Sequence, residues 1–444
     1  MIQNKKMKTN KLKIGVMAMV AVLALGATSC KKKGCTDPLS TNYDANAEKD
    51  DDSCIPGVIV EENTNVLKSG TITANETWTA DNIYELAGKV VVTSGVTLTI
   101  EPGTIIKGQE GTGTLASALV IAQGGMINAV GTALSPIIFT SVLDNIAIGQ
   151  LTGTNLTEAN QGLWGGIIVL GNAPISAADG DVLSQIEGIP VSLTYGAFGG
   201  SNASDNSGTM SYISIRHGGA LIGAGNEING LTLGGVGSAT NISNIEIVSN
   251  LDDGIEFFGG TVSVSNILVG FQGDDGVDID MNYSGTVSNF LVVSGLSSDE
   301  GIEADGPEGS TYTSGVFTLE NGTLYTFGGS AASADFKSKA QGTVTNISLG
   351  GLKIRASYQN DCADAKTDAF THLTDGAPIL VFAGSEFATV TVYTASQNDA
   401  GSTDCVVFSA DQTAAEGVAT SVTATGADIS VFAAWTWMSV NGKI

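Results

Sequence analysis

Neither histidine nor cysteine occurs in a pattern that would hold zinc. The 444-residue chain has two histidines, His217 and His372, and five cysteines, none of them in a CxxC pair, so a structural zinc centre is excluded. Basic residues are scarce: 19 Lys and Arg stand against 45 Asp and Glu, for a net charge of −26. Many of the lysines crowd into the first 33 residues, so the remainder is strongly acidic. That balance argues against nucleic acid or an anionic membrane surface as partner and favours divalent cations or a salty external medium. Apart from one N-terminal run, no segment is apolar enough to span a bilayer. Beyond about residue 57 no amphipathic helical pattern appears, which excludes folds alternating strands with helices. What is abundant is glycine, 58 residues of it, with Val, Ile, Thr, Ser and Asn. This is the composition of an all-β, turn-rich chain.

The N-terminus predicts export. Lys5, Lys6, Lys8, Lys11 and Lys13 precede an uncharged apolar run from Ile14 to Leu25, the length of a signal-peptide core. Gly26-Ala27-Thr28-Ser29-Cys30 follows and resembles the lipobox of bacterial lipoproteins. The resemblance implies that residues 1–29 are removed and that an acylated Cys30 holds the chain on a lipid bilayer. The other reading is an ordinary cleaved signal with Cys30 left over. With Cys30 given to lipid, four of the five cysteines remain, an even number suited to an oxidising compartment. The local pairing is Cys35 with Cys54 and Cys362 with Cys405. Residues 30–56 form the tether, in which the first cysteine pair brackets Asp37, Asp44, Asp50, Asp51 and Asp52. This stretch resembles a short Asp-rich module of Bacteroidetes proteins. A calcium-binding bead and a solvated spacer both fit it.

From residue 57 short apolar strands are punctuated by Gly, Asn and Asp, and they repeat. Ile242-Ser243-Asn244 recurs as Val264-Ser265-Asn266, Val287-Ser288-Asn289 and Val344-Thr345-Asn346, with Asn321 in the same phase. The asparagines are separated by 22, 23, 32 and 25 residues, the coil length of a right-handed parallel β-helix with one coil enlarged by a loop around 307–314. Asparagine tolerates left-handed backbone, and its amide can bond to that of the next coil. A second ladder follows in register: Asp252-Asp253-Gly254-Ile255-Glu256, Asp274-Asp275-Gly276-Val277-Asp278 and Asp299-Glu300-Gly301-Ile302-Glu303. Strand alternation points Ile255, Val277 and Ile302 inward and Glu256, Asp278 and Glu303 outward. The glycines are expected at corners needing positive φ.

Stacked coils lie about 4.8 Å apart, so the second ladder builds columns of carboxylates. Asp252, Asp274 and Asp299 form one. Asp253, Asp275 and Glu300 form another, then Glu256, Asp278 and Glu303, then Asp280 and Asp305. Unrelieved, each close pair costs about 1 kcal/mol even in water-like surroundings. Calcium, raised carboxyl pKa values or basic neighbours would relieve the strain. Matching Phe336 to Ile302 puts Lys337 on the Glu303 column and Lys339 on the Asp305 column. Three roles are open for the stack: turn capping by solvated acids, calcium binding, or catalysis. In the catalytic version the order LDDG then GDDG resembles polygalacturonase-like β-helix enzymes, which implies Asp252, Asp274 and Asp275 as acid and base on a glycosidic bond. The arginines of the chain, Arg216 and Arg355, fall outside the stack. Trp435 and Trp437 are expected to cap the open end of the coils. Polar insertions near 145–161 and 198–209 are expected to project from one face.

Three longer segments carry a family resemblance. LTIEPGTIIKG (98–108), GLWGGIIVLGNAPI (162–175) and NLDDGIEFFGGTV (250–262) resemble the β-helix lipoproteins of Bacteroidetes. The resemblance covers most of residues 65–444. It implies a right-handed parallel β-helix in the bacterial envelope and no particular chemistry. The Lys31-Lys32-Lys33 tether leaves both the periplasmic face of the outer membrane and the cell surface open. The domains read as coils over 57–350 and C-terminal coils with a cap over 351–444. The functional expectation is a calcium-stabilised binding or adhesion lipoprotein of the envelope, with a polysaccharide or an envelope protein as ligand. A polysaccharide hydrolase or lyase is the alternative.

Overall fold

The structure is a computed structural model that describes residues 31–38, 40–55, 65–178, 180–222, 227–329, 332–360, 362–377, 379–394 and 405–444. The apolar signal run and Cys30 lie outside the described residues, as does the boundary expected near residue 56. The chain divides into two units, Met1–Glu62 and Asn63–Ile444.

In the first unit, a disulfide joins Cys35 to Cys54. Its acids serve as local turn acceptors. Asp44 takes the N–H of Asn46 and pairs with Lys32 at 2.7 Å. Asp50 takes the Thr36 hydroxyl and the N–H of Asp52. Among the described residues, the carboxylate trios close enough to share an ion all lie in the second unit.

The second unit is a parallel β-helix, with 23 strands of the described residues in a single sheet. Each middle coil contributes one longer strand, such as Asn241–Val248, and one short strand, such as Ile255–Phe258. The longer strand bends at its asparagine, so each coil presents three faces. Asn244, Asn266, Asn289, Asn321 and Asn346 all have φ between 50° and 57°. The Nδ2 of Asn266 donates to Asn244 at 3.0 Å, that of Asn289 to Asn266 at 2.7 Å, and that of Asn346 to Asn321 at 2.8 Å. The expected ladder is present, interrupted between Asn289 and Asn321, where Asn289 Oδ1 instead accepts the N–H of Asp428. The core is the column of inward aliphatic and aromatic side chains: Ile255, Val277 and Ile302 stack with Phe257 and Ile279, all fully buried. The glycines of the acidic ladder need correction. Gly254, Gly276 and Gly301 do not have positive φ. Their requirement is close approach: a Cβ on Gly276 would lie 2.6 Å from the carbonyl oxygen of Gly301 and from Val292.

Short helices appear where none was expected. Ala369–Thr374 opens with a capping box between Asp368 and Thr371, and Ser409–Val418 packs against the last strand, Thr389–Tyr393. Phe370, Leu373 and Ala415 from these helices join the main core, so they close the C-terminal end of the stack. At 6 and 10 residues they are too short for periodicity to reveal. The disulfide Cys362–Cys405, predicted from local pairing, links the segments before and after the last strands.

Trp435 and Trp437 do not cap that end. Residues 422–444 run back along the flank of the coils as a strap. Thr425 N donates to Asn346, Asp428 N to Asn289, and Trp437 and Met438 N to Glu246 at 2.8 Å each. The two tryptophans and Met438 cover Val248, Leu268, Leu291 and Val293, outward side chains that would otherwise be exposed. The insertions are folded back as well. Gln161 donates to the carbonyls of Asn250 and Phe271, and Phe198 is buried against Phe258.

Candidate functional site

The acidic stack is assembled as its repeats imply, with a different environment. Glu256 pairs with Asp278, and Asp278 with Glu303, in parallel register; Phe258 pairs with Asp280. The next coil corrects the lysine placement. Ala334 pairs with Ile302 and Phe336 with Ala304, so Asp335 continues the Glu303 column. Lys337 is two positions further along the coil than expected, beside Asp305, and Lys353 stands opposite Asp335 on the following coil. The physical reason is that the turn keeps its length, Ser294 to Ile302 and Thr326 to Ala334 being in register, but has lost the acid-acid-glycine corner that marks the inward position in the other coils, Ser333 standing directly before the strand.

The columns divide by role. Asp253 Oδ1 accepts the N–H of Asp275 at 2.8 Å, and Asp275 Oδ1 accepts that of Glu300 at 2.7 Å. These acids cap the turn of the next coil, as asparagine and aspartate do where a backbone donor lacks a partner. The solvated part of the capping reading does not hold. Asp253 is 6%, Asp275 4%, Glu256 7% and Asp278 9% exposed. Asp274 and Asp299 are the exposed members, and Asp252 is half-buried. The outward face is covered because a flap, residues 180–200, folds over it. The flap contains the hairpin Leu183–Gln185 with Ala197–Gly199 and buries Ile186 and Ile189 against Ile168 and Phe258. The loop of the enlarged coil supports its base: Gly309 N donates to Ala177 O, and Glu308 N to Ser176 Oγ.

Two trios have oxygen atoms all within 4.8 Å of one another: Asp252, Asp253 and Asp274, and the fully buried set Asp253, Glu256 and Asp278. Cations already serve the later coils. Lys353 pairs with Glu300 and Lys337 with Glu303, while Asp335 accepts the Tyr393 hydroxyl at 2.7 Å. Among the described residues no ion pair reaches Asp252, Asp253, Glu256 or Asp278. Burial, then the neighbouring carboxylates, pushes Asp252 up to about 7, Asp275 to about 10 and Asp280 to about 8. The same causes hold Asp253, Glu256 and Asp278 well above the usual carboxylate range. The Oδ1 atoms of Asp278 and Asp305 are buried without a hydrogen-bond partner. An oxygen-rich pocket of this kind suits a hard divalent cation, which would replace the protons these carboxyls hold.

Several contributors escaped the sequence reading. Asn229 donates to Glu256. Its segment, Asn229-Gly230-Leu231-Thr232, pairs in register with Asp253-Gly254-Ile255-Glu256, so the ladder extends one coil back with its acids replaced by neutral groups. Extending the repeat would have found it. Glu187 of the flap and Glu227 had no such signal; their fields add to those raising Asp252.

Arg216 and His217 lie on another flank, fully buried. Arg216 Nε donates to Ser214 and His217 Nδ1 bonds the Asn160 carbonyl at 2.7 Å. Burial pulls His217 down to about 4. Arg355 pairs with Asp368 at 3.0 Å, near the Asp305 end of the stack.

Fold and site together define a parallel β-helix with a buried carboxylate stack on one flank. The chain belongs to the pectate-lyase-like β-helix domain family, which it matches over residues 70–439. No curated protein matches it. Among solved structures it is similar to the pectin methylesterase of Aspergillus niger in penultimately deglycosylated form, at 12% identity over 79% of this chain and 88% of that one, with a TM-score of 0.27. The deglycosylated form of the same esterase gives 12% identity, 77% and 85% coverage and a TM-score of 0.24. Superpositions this loose carry no argument about chemistry. No helix among the described residues is long and apolar enough to cross a membrane, and the two disulfides suit an exported protein.

Proposed function

We propose that this chain is an exported envelope binding protein, held to the bilayer through an acylated Cys30, whose β-helix is stabilised by calcium on the acidic stack. The observation that carries the metal is the trio Asp253, Glu256 and Asp278, buried within 4.8 Å of one another with Asp278 Oδ1 unpartnered. Calcium takes six to eight oxygen ligands at about 2.3–2.6 Å, and one ion would neutralise two of these charges. Asp252 and Asp274 would serve a more open position at the rim. Glu300 and Glu303 meet lysines and Asp299 meets solvent, so they supply field more than ligands, while Asp280 and Asp305 lie deeper in the stack. A polysaccharide or an envelope protein is the proposed ligand of the β-helix surface. Calcium titration followed by calorimetry tests the metal. Binding that disappears in Asp253→Asn/Asp278→Asn supports it, and unchanged binding in that variant sinks it.

A second reading is a glycan hydrolase or lyase. The observation favouring it is the proximity of Asp252 and Asp274 across adjacent coils, with Asp252 held near neutrality, where a carboxyl can give up or take a proton. Asp275 fits less well, since its Oδ1 is engaged by the backbone of Glu300. Product release from an acidic polysaccharide that stops in Asp274→Asn would establish this reading over the first.

A further inference from the structure

Where the insertion of residues 145–161 meets the end of the strap, a hollow of about 370 Å³ opens on the flank of the coils. That is the size of a small-ligand pocket. Its aromatic walls come from two coil corners. Phe271 is buried at the base and Phe327 is 48% exposed, and their rings meet edge-on with centroids 5.3 Å apart. Gly295, on the coil between them, leaves the slot open. A Cβ there would lie 3.3 Å from the Phe271 ring. The corner is held firmly: Phe271 N donates to Val293 O, Phe327 N to Ser294 O and Gly295 N to Ser298 Oγ. Gln161 spends both Nε2 hydrogens on the carbonyls of Asn250 and Phe271, so its amide offers a ligand only Oε1. Lys443 pairs with Glu158 at 2.7 Å and stands over one face of Phe327, 5.0 Å from its centroid. A second hollow of about 280 Å³, lined by Thr157, Trp437 and Asn441, shares Glu158 with the first.

We infer that the two hollows form one cleft for a linear neutral glycan, seated on Phe271 and Phe327 and hydrogen-bonded by Glu158, Lys443 and Gln161. This rests on the reading of the chain as a binding protein, to which it gives a place and a ligand class, and it uses nothing of the acidic stack. The chemistry of the lining selects the class. The C–H face of a sugar ring covers aromatic carbon, while its hydroxyls both donate and accept. The cleft has acceptors in Glu158 and Gln161 and spare N–H groups on Lys443. A wholly apolar ligand would cover the Glu158–Lys443 pair without bonding it, and burying charged groups unbonded is costly. A polyanion would meet a chain of net charge −26. The ammonium lining the cleft, that of Lys443, is already paired. Two hollows that share one wall suit a chain of rings better than a single compact ligand.

The test uses the intact protein and isothermal titration, in chelator and in calcium. The probes are a neutral β-glucan, a mannan and a xylan, with polygalacturonate as the acidic comparison. At least one neutral glycan should bind. Its affinity should fall about tenfold in Phe327→Ala and stay near normal in Phe327→Tyr, which keeps the ring. Gly295→Leu fills the slot and should abolish binding. Circular dichroism and melting midpoints should match the unaltered chain in all three variants. Binding should persist in Asp253→Asn/Asp278→Asn. A neutral glycan that binds Phe327→Ala and Gly295→Leu as tightly as the unaltered chain overturns the cleft, while a polysaccharide ligand elsewhere on the surface stands. A chain that binds none of the three neutral glycans also overturns it. Binding of a leucine- and phenylalanine-rich peptide, lost in Phe327→Ala, would then assign the hollow to a protein partner. Polygalacturonate binding lost in Asp274→Asn, with no neutral glycan bound, would favour the hydrolase or lyase reading instead. If the unaltered chain binds no calcium but its glycan affinity still depends on Phe327, the calcium stack fails and the cleft survives.

Discussion

Stability of the metal-free protein should fall as pH rises from 5 to 7. In the folded chain Asp252 titrates near 7, Asp280 near 8 and Asp275 near 10, whereas an unfolded aspartate titrates at about 3.9. Between pH 5 and 7 the native state therefore holds protons that the unfolded state has released. Linkage then makes the slope of unfolding free energy with pH negative, by about 1.4 kcal/mol per pH unit for each proton retained. These carboxyls interact, so the net number retained is of order one to three. That gives about 3–8 kcal/mol across the window, or about 5–15 °C in melting temperature for a large domain. Calcium needs ionised ligands, so its stabilisation should grow across the same window and reach about 3 kcal/mol at 100 times its dissociation constant. The assay is thermal unfolding at fixed ionic strength, in chelator and in calcium, at half-unit steps of pH. A midpoint in chelator that is flat or rises between pH 5 and 7 would refute the reasoning, since it would mean that the buried carboxyls are ionised and compensated by the protein itself.

Three other perturbations probe the scaffold. Glu246→Ala removes the acceptor of two strap N–H groups and leaves the buried Arg216 with only the weaker field of Asp144; it should cost about 3–5 kcal/mol and red-shift the emission of Trp435 and Trp437. Asn289→Ala breaks amide bonds to Asn266 and to the strap at a φ of 50°; urea unfolding should show a loss of about 2–3 kcal/mol, with Asn289→Gly milder because glycine accepts the backbone geometry. Gly276→Ala should destabilise by about 1–3 kcal/mol through its contact with the next coil, while Gly376→Ala, with nothing within 4 Å, should leave the midpoint unchanged.

Much of this site was legible before any coordinates. Repeats state registers directly: an asparagine that recurs after each coil must stack, and so must every residue at a constant offset from it. Asp253, Asp275 and Glu300, or Glu256, Asp278 and Glu303, thus fall into columns by counting. Counting would have held at the next coil, where Ala334 follows Asn321 at the same distance as Ile302 follows Asn289; matching the bulky Phe336 to Ile302, with no acid-acid-glycine corner to mark the place, displaced Lys337 by two positions. Counting also stopped one coil too soon, at Asn229, because an amide in place of an acid breaks the visible pattern without breaking the register. The outward direction of Glu256 and Asp278 was right, and their solvation was not. Alternation tells which face a side chain takes, and whether that face is wet depends on what else folds over it.

Sequence by itself determined the coil period, the parallel β-helix, the asparagine ladder, the carboxylate columns and both disulfide pairings. All of these follow from local repetition, since one coil stacks on the next through neighbours that the period already specifies. Tertiary structure alone decided what covers the flanks. The flap that buries the stack reaches it from a distant coil, and the strap that carries Trp435 and Trp437 travels from residue 444 back to Glu158, its Lys443 pairing there at 2.7 Å. Neither segment repeats, so their positions come from which exposed apolar stripe each can bury. That choice turns a row of surface acids into a buried site with shifted pKa values, because desolvation depends on the covering segment and not on the acids themselves.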